Sequence, residues 1–167
     1  RVGRLDAGDA TELAATLADG DFFTDLIAVS PGSDEVLVFR GRGPGDAAGP
    51  LESPLRYASG GREPVDAVVG QFVGDALPDV AVGHRDGTVT FLAGLAGGTF
   101  QLHCAATVGG LGTIQDLAAG DWDEDGDLDL AVSGGDRVTV LWQDDDLLSA
   151  SPIVNGDFGS GLTGWTT

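Results

Sequence analysis

Three aspartates impose a repeat on this chain. Asp25, Asp79 and Asp129 stand 54 and 50 residues apart, and each closes an acidic loop that runs straight into an apolar stretch. Set on Asp129, the two later copies superpose without a gap: Gly70, Phe72, Asp75 and Asp79 fall on Gly120, Trp122, Asp125 and Asp129. The first copy keeps Asp19, Asp21 and Asp25. Each repeat continues alike, with an apolar run, a glycine-containing turn and a second run: residues 36–39, 89–92 and 138–141. Short β-rich runs bounded by Gly and Asp read as strands. A period near 50 means that one supersecondary unit recurs and buries its apolar faces only by stacking on its neighbours.

The first two repeats add a Gly/Pro-rich connection and an outer strand, at residues 55–58 and 99–104. No outer strand is expected in the third. Residues 1–5 read as the outer strand of a preceding unit. A four-strand unit of this period suits a propeller blade. The predicted fold is therefore all-β, about three four-stranded β-propeller blade equivalents that do not close a ring. Its parts are 1–9, outer strand of a preceding blade; 10–58, blade 1; 59–108, blade 2; 109–149, blade 3; and 150–167, a tail or the start of a further β module. Propellers close with four to eight blades, so open ends are expected to leave apolar blade faces in water. Either the chain is a segment of a longer protein, or copies join, with residues 1–5 of one adding a strand beside residues 138–142 of another.

The third loop carries the chemistry. Residues 121–129 read Asp-Trp-Asp-Glu-Asp-Gly-Asp-Leu-Asp, with carboxylates at positions 1, 3, 5, 7 and 9 and glycine at 6. Alternate carboxylates on a tight loop face one centre and repel each other unless a hard cation sits there. Calcium takes six to eight oxygen ligands, so Asp121, Asp123, Asp125 and Asp129 are expected as side-chain ligands and Asp127 through its backbone carbonyl. Gly126 stands where the loop turns sharply. An EF-hand is excluded, because position 12 is Val132 rather than Glu and the flanks are strands. The first loop, with Asp19, Asp21 and Asp25, is a second and weaker candidate: Leu17 holds position 1 and Phe22 the glycine position. The second keeps only Asp75 and Asp79, which are expected to hydrogen-bond the turn backbone. The expected affinity of the third loop is on the order of 10⁻⁴ M or somewhat tighter, that of extracellular modules.

The pattern Gly-Asp-aromatic-x-Gly-Asp-Gly-x-x-Asp-apolar-apolar-Val, to which residues 70–83, 87–109 and 120–142 come nearest, resembles the FG-GAP or VCBS repeats of integrin α-subunit propellers and many secreted bacterial proteins. The resemblance covers residues 10–149. It implies calcium sites at the blade edge and an extracellular role in adhesion or scaffolding. Residues 153–158, Ile-Val-Asn-Gly-Asp-Phe, with Trp165 beyond, are similar to the opening of a carbohydrate-binding jelly-roll module.

Charge narrows the partners. The chain holds 27 acidic and 8 basic residues, all Arg, for a net −19, and such a surface repels nucleic acid and anionic membrane. No apolar stretch reaches the roughly 18 residues of a membrane span. Cys104 cannot form an internal disulfide; alternation puts it with Phe100 and Leu102 on one strand face, a buried structural thiol. His84 falls at a strand end beside a turn, and His103 faces solvent. The chain has no Met and reads as a processed or excised product whose signal peptide is gone. The leading functional reading is non-enzymatic: a calcium-binding extracellular propeller segment for adhesion, surface scaffolding or self-assembly, with a protein or glycan partner at the cell surface. The rival readings are a glycan-binding module using Trp122, Trp142 or Trp165, and part of a polysaccharide-active enzyme, which would need a carboxylate pair held across a cleft.

Overall fold

The computed structural model describes residues 6–46 and 49–143, with the backbone of 165–166. The described residues are all strand, turn and loop, in three antiparallel sheets. Blade 1 is β1 (Glu12–Thr16), β2 (Asp25–Ser30), β3 (Glu35–Phe39) and β4 (Leu55–Ala58), hydrogen-bonded in that order. Blade 2 repeats the order with β5 (Pro64–Gly70), β6 (Asp79–His84), β7 (Thr88–Leu95) and β8 (Thr99–Thr107). Blade 3 holds β9 (Ile114–Gly120), β10 (Asp129–Gly134) and β11 (Arg137–Gln143). Its fourth strand is β12 (Trp165–Thr166), which pairs Trp142 with Thr166 and Gln143 with Trp165. This corrects the expectation that the third blade lacks an outer strand: the tail supplies two residues of it. Residues 1–5, and the rest of the tail, lie outside the described residues.

The stacking follows from strand alternation. Ile27, Val29, Val36 and Val38 turn one face of blade 1 onto Val80, Val82, Leu92 and Phe100 of blade 2. Ala81, Val89 and Phe91 turn the other face of blade 2 onto Leu117, Leu130, Val132 and Leu141 of blade 3. The first strands lie side by side, β1 against β5 and β5 against β9, as strands lining a propeller axis do. Blade 1 differs from the expected open end, for its outward residues Ala28, Leu37 and Phe39 are buried too.

Irregularities recur at matching places. The register slips at Val65 in β5 and at Gln115 in β9, and these two positions align in the repeat. A third slip, at His103, changes the reading of β8: Phe91 faces Cys104, and Leu92 faces Leu102. One extra residue moves everything beyond it to the opposite face. Cys104 therefore packs toward blade 3, while Phe100 packs toward blade 1 and Leu102 is half exposed, so the single shared face is corrected. Burial pushes the Cys104 thiol up to about 12, which keeps it protonated and unreactive.

An acid pair spans the joint between blades 2 and 3. Buried Asp66 accepts the Ala67 N–H at 2.8 Å through Oδ1 and the Leu117 N–H of blade 3 at 2.6 Å through Oδ2. Burial pushes its carboxyl up to about 6; the Leu117 N–H pulls the other way, and nearby Asp116 adds to the rise. The folded protein thus binds this proton more tightly than the unfolded chain. Asp66 costs nothing below the unfolded value of 3.8 and costs progressively more as pH rises to about 6, on the order of 2 kcal/mol once fully ionised. Asp116→Asn is expected to move this titration down and to flatten the stability profile between pH 4 and 6, as read by urea unfolding at several pH values.

Candidate metal centre

Each blade joins its first two strands through a nine-position loop: 17–25, 71–79 and 121–129. Position 9 is a fully buried aspartate in all three. One carboxylate oxygen accepts the N–H at position 2: Ala18 at 2.6 Å, Phe72 at 2.8 Å and Trp122 at 2.9 Å. The other accepts an N–H at or just beyond the end of the blade's third strand: Gly41 at 2.7 Å, Gly94 at 2.9 Å and Gln143 at 3.0 Å. Asp25, Asp79 and Asp129 therefore tie each loop to its own sheet. Position 5 also recurs, with Asp21, Asp75 and Asp125 accepting the N–H two residues on at 2.7, 2.8 and 2.9 Å. Position 4 is left-handed in every loop, at Gly20 (φ 77°), Gly74 (φ 75°) and Glu124 (φ 63°).

Positions 1 and 3 separate the loops. Only the third has a carboxylate at both, and there Asp121, Asp123 and Asp129 bring one carboxylate oxygen each within 4.8 Å of one another. Asp121 and Asp123 are exposed at the mouth and Asp129 is buried at the base. The backbone holds the cup open: Asp121 accepts the Gly126 N–H at 3.1 Å, and Gly126 has φ 102°, the turn expected of it. Desolvation raises the Asp123 carboxyl, and the Asp125 and Asp129 charges add to this. A group of carboxylates that resist ionising together is one that a cation stabilises. Three hard oxygen donors without His or Cys suit calcium or magnesium rather than a soft metal.

The expected ligands thus divide. Asp121, Asp123 and Asp129 converge. The Asp125 carboxylate lies outside that group and is engaged with the Asp127 N–H; Asp127, expected through its backbone carbonyl, is not a member by its side chain. Among the described residues no such group forms from Asp19, Asp21 and Asp25; there Asp19 accepts the Asp21 N–H at 3.1 Å. In loop 2, Asp79 and Asp75 do bond the turn backbone, Asp79 also taking the Val73 N–H at 2.9 Å. The double anchorage of position 9 was missed in the sequence, although the survival of Asp79 in loop 2, which has Gln71 and Val73 at positions 1 and 3, is the signal for it.

The aromatic at position 2 also has a structural partner. Cβ atoms added at Gly70 and Gly120 would lie 2.9 Å from the Phe72 ring and 3.0 Å from the Trp122 ring, so each ring lies on the glycine two residues before it. This Gly-x-aromatic element, the acidic turn and the buried aspartate before an apolar strand recur at a blade-length spacing across loops 2 and 3. Residues 71–132 match the FG-GAP-like repeat. The match runs from the first position of loop 2 through loop 3 into β10. No curated protein matches the chain.

The other candidate groups stand outside the carboxylate cluster of loop 3. His84 is buried, donates its Nδ1–H to the Thr88 carbonyl at 3.0 Å, and is held below its ordinary pKa by desolvation. Trp122 is 46% exposed and Trp142 is half-buried; the side chain of Trp165 lies outside the described residues. A cleft of about 820 Å³ is lined by Asp34, Arg62, Glu63, Arg85 and Asp86. Its carboxylates are engaged: Asp34 accepts the Glu63 N–H, Asp86 those of Arg62 and Thr88, and Glu63 pairs with Arg85 at 3.6 Å.

Proposed function

We propose that this chain is a calcium-stabilised, non-catalytic extracellular segment of FG-GAP-type propeller blades, serving adhesion, surface scaffolding or assembly through a protein or glycan partner. The observation that carries the reading is the convergence of Asp121, Asp123 and Asp129 in one loop of three. These side chains would hold the ion at the loop mouth, and a backbone carbonyl of the loop with water would complete an oxygen shell of six to eight. The ion neutralises a cluster in a chain of net charge −19 and fixes the loop at the blade edge. An affinity on the order of 10⁻⁴ M suits the calcium level outside cells rather than inside. No helix of the described residues is long and apolar enough to cross a membrane.

Thermal unfolding tests this. Calcium at about 100 times Kd is expected to add roughly 2.7 kcal/mol, a rise of about 5–10 °C for a chain of this size. Asp123→Ala should lose the rise while unfolding near the temperature of the chelated wild type. No shift in the wild type would remove calcium from the account.

A further inference from the structure

The outward face of blade 1 is built to receive another blade. In the repeat its residues Leu26, Ala28, Leu37 and Phe39 align with Val80, Val82, Thr90 and Leu92 of blade 2 through identical strand pairings. In blade 2, Val80, Val82 and Leu92 are the residues that pack onto blade 1. Among the described residues no blade lies on that side of blade 1, yet Ala28, Leu37 and Phe39 are 0–1% exposed. Ala7, Ala10 and Leu51 pack against them.

Leu51 comes from the connection between β3 and β4. That connection is fifteen residues long, from Phe39 to Leu55, whereas its counterpart in blade 2 is three, from Leu95 to Thr99. Its described residues, 40–46 and 49–54, fold back on themselves. Gly41 and Leu51 form a β-bridge, the Arg42 N–H donates to the Pro50 carbonyl at 2.8 Å, and the Glu52 N–H donates to the Arg40 carbonyl at 2.8 Å. Glu52 joins the two legs by ion pairs to Arg40 at 2.8 Å and Arg42 at 3.7 Å. The base is fastened to loop 1: the Gly41 N–H donates to Asp25, and Gly41 and Gly43 lie against Phe23, where a Cβ would come within 2.9 and 3.1 Å. Apolar contact inside and charge outside is the pattern of a terminal capping repeat.

We infer that this connection is an end cap: it occupies the place of a neighbouring blade, so that no further blade stacks on blade 1. A ring or filament built through that face is thereby blocked, and stacking can proceed only from the blade 3 side. The same cap packs against Phe23 at position 7 of loop 1, and so holds that loop where loop 3 has its carboxylate cup.

The test is a full-length variant in which residues 41–53 are replaced by Ala-Gly-Gly, the turn at 96–98, together with the milder Leu51→Asp. Sedimentation velocity is expected to show at least a doubling of mass for the shortened variant relative to wild type, and dye binding to exposed apolar surface should rise several-fold in both. Adding Leu37→Gln to the shortened variant should return the mass toward wild type. Retention of wild-type mass and dye binding in both variants would overturn the cap. So would loss of the β-sheet spectrum in both, because the connection would then be part of the blade itself rather than a cover over a formed one.

Discussion

Asp79→Ala is expected to lower the stability of this protein by about 4 kcal/mol, roughly a third of what a domain of this kind possesses. The carboxylate accepts three backbone N–H groups, from Phe72, Val73 and Gly94, and is completely buried. Alanine leaves these donors without their acceptor, and each buried unsatisfied donor costs about 1–3 kcal/mol. Burial raises the Asp79 carboxyl above its ordinary value against the pull of those donors, so part of the gain from hydrogen bonding is already offset by desolvation. The neighbouring Asp75 provides the control. It accepts one exposed N–H, from Leu77, and Asp75→Ala should cost less than about 1 kcal/mol. Urea unfolding of the two variants checks this. Equal losses would mean that the buried aspartate is not what ties the loop to its sheet.

Phe72→Ala should cost nearly as much, about 4 kcal/mol, the usual range for a buried Phe. Phe72 stands at position 2 of loop 2, is fully buried, and meets Phe91 edge-on at 5.6 Å between ring centroids in the core between blades 2 and 3. Trp122, at the same place in loop 3, is 46% exposed. Loop 2 is therefore pinned by an aromatic plug where loop 3 gathers carboxylates. The Phe72→Ala loss should be the same with calcium and with chelator, and Trp122→Ala should cost about 1 kcal/mol. A Phe72→Ala variant that calcium restored to wild-type stability would contradict this division of labour.

The repeat made most of the architecture legible. The anchor aspartates place β2, β6 and β10, each of which starts at one of them, because a buried polar turn leading into an apolar strand recurs at a blade-length period. What the sequence concealed were effects that depend on partners distant in the chain. The slip at His103 reverses Cys104 because one added residue inverts a period of two, and alternation read along β8 alone contains no sign of it. The cap over blade 1 was hidden for another reason: a Gly/Pro-rich connection shows its turns but not the surface on which Leu51 rests. The two-residue strand of blade 3 is too short to carry a pattern.

The candidate site was legible in part. Five carboxylates at alternate positions marked loop 3, and three of them converge. Alternation alone does not show which carboxylates converge, because Asp residues at positions 5 and 9 take backbone N–H groups in all three loops, and Asp129 does so while also joining the converging group. Positions 1 and 3 are the discriminating ones, and Leu17 and Gln71 at position 1 set loops 1 and 2 apart from Asp121.

Calorimetric titration of the chelator-stripped protein with calcium reads the loop 3 cup directly. A single site is expected, abolished by Asp123→Ala and unaffected by Asp21→Ala, since among the described residues only loop 3 brings its carboxylates together. Binding that survives Asp123→Ala, or a wild-type protein that takes up no calcium, would contradict that expectation.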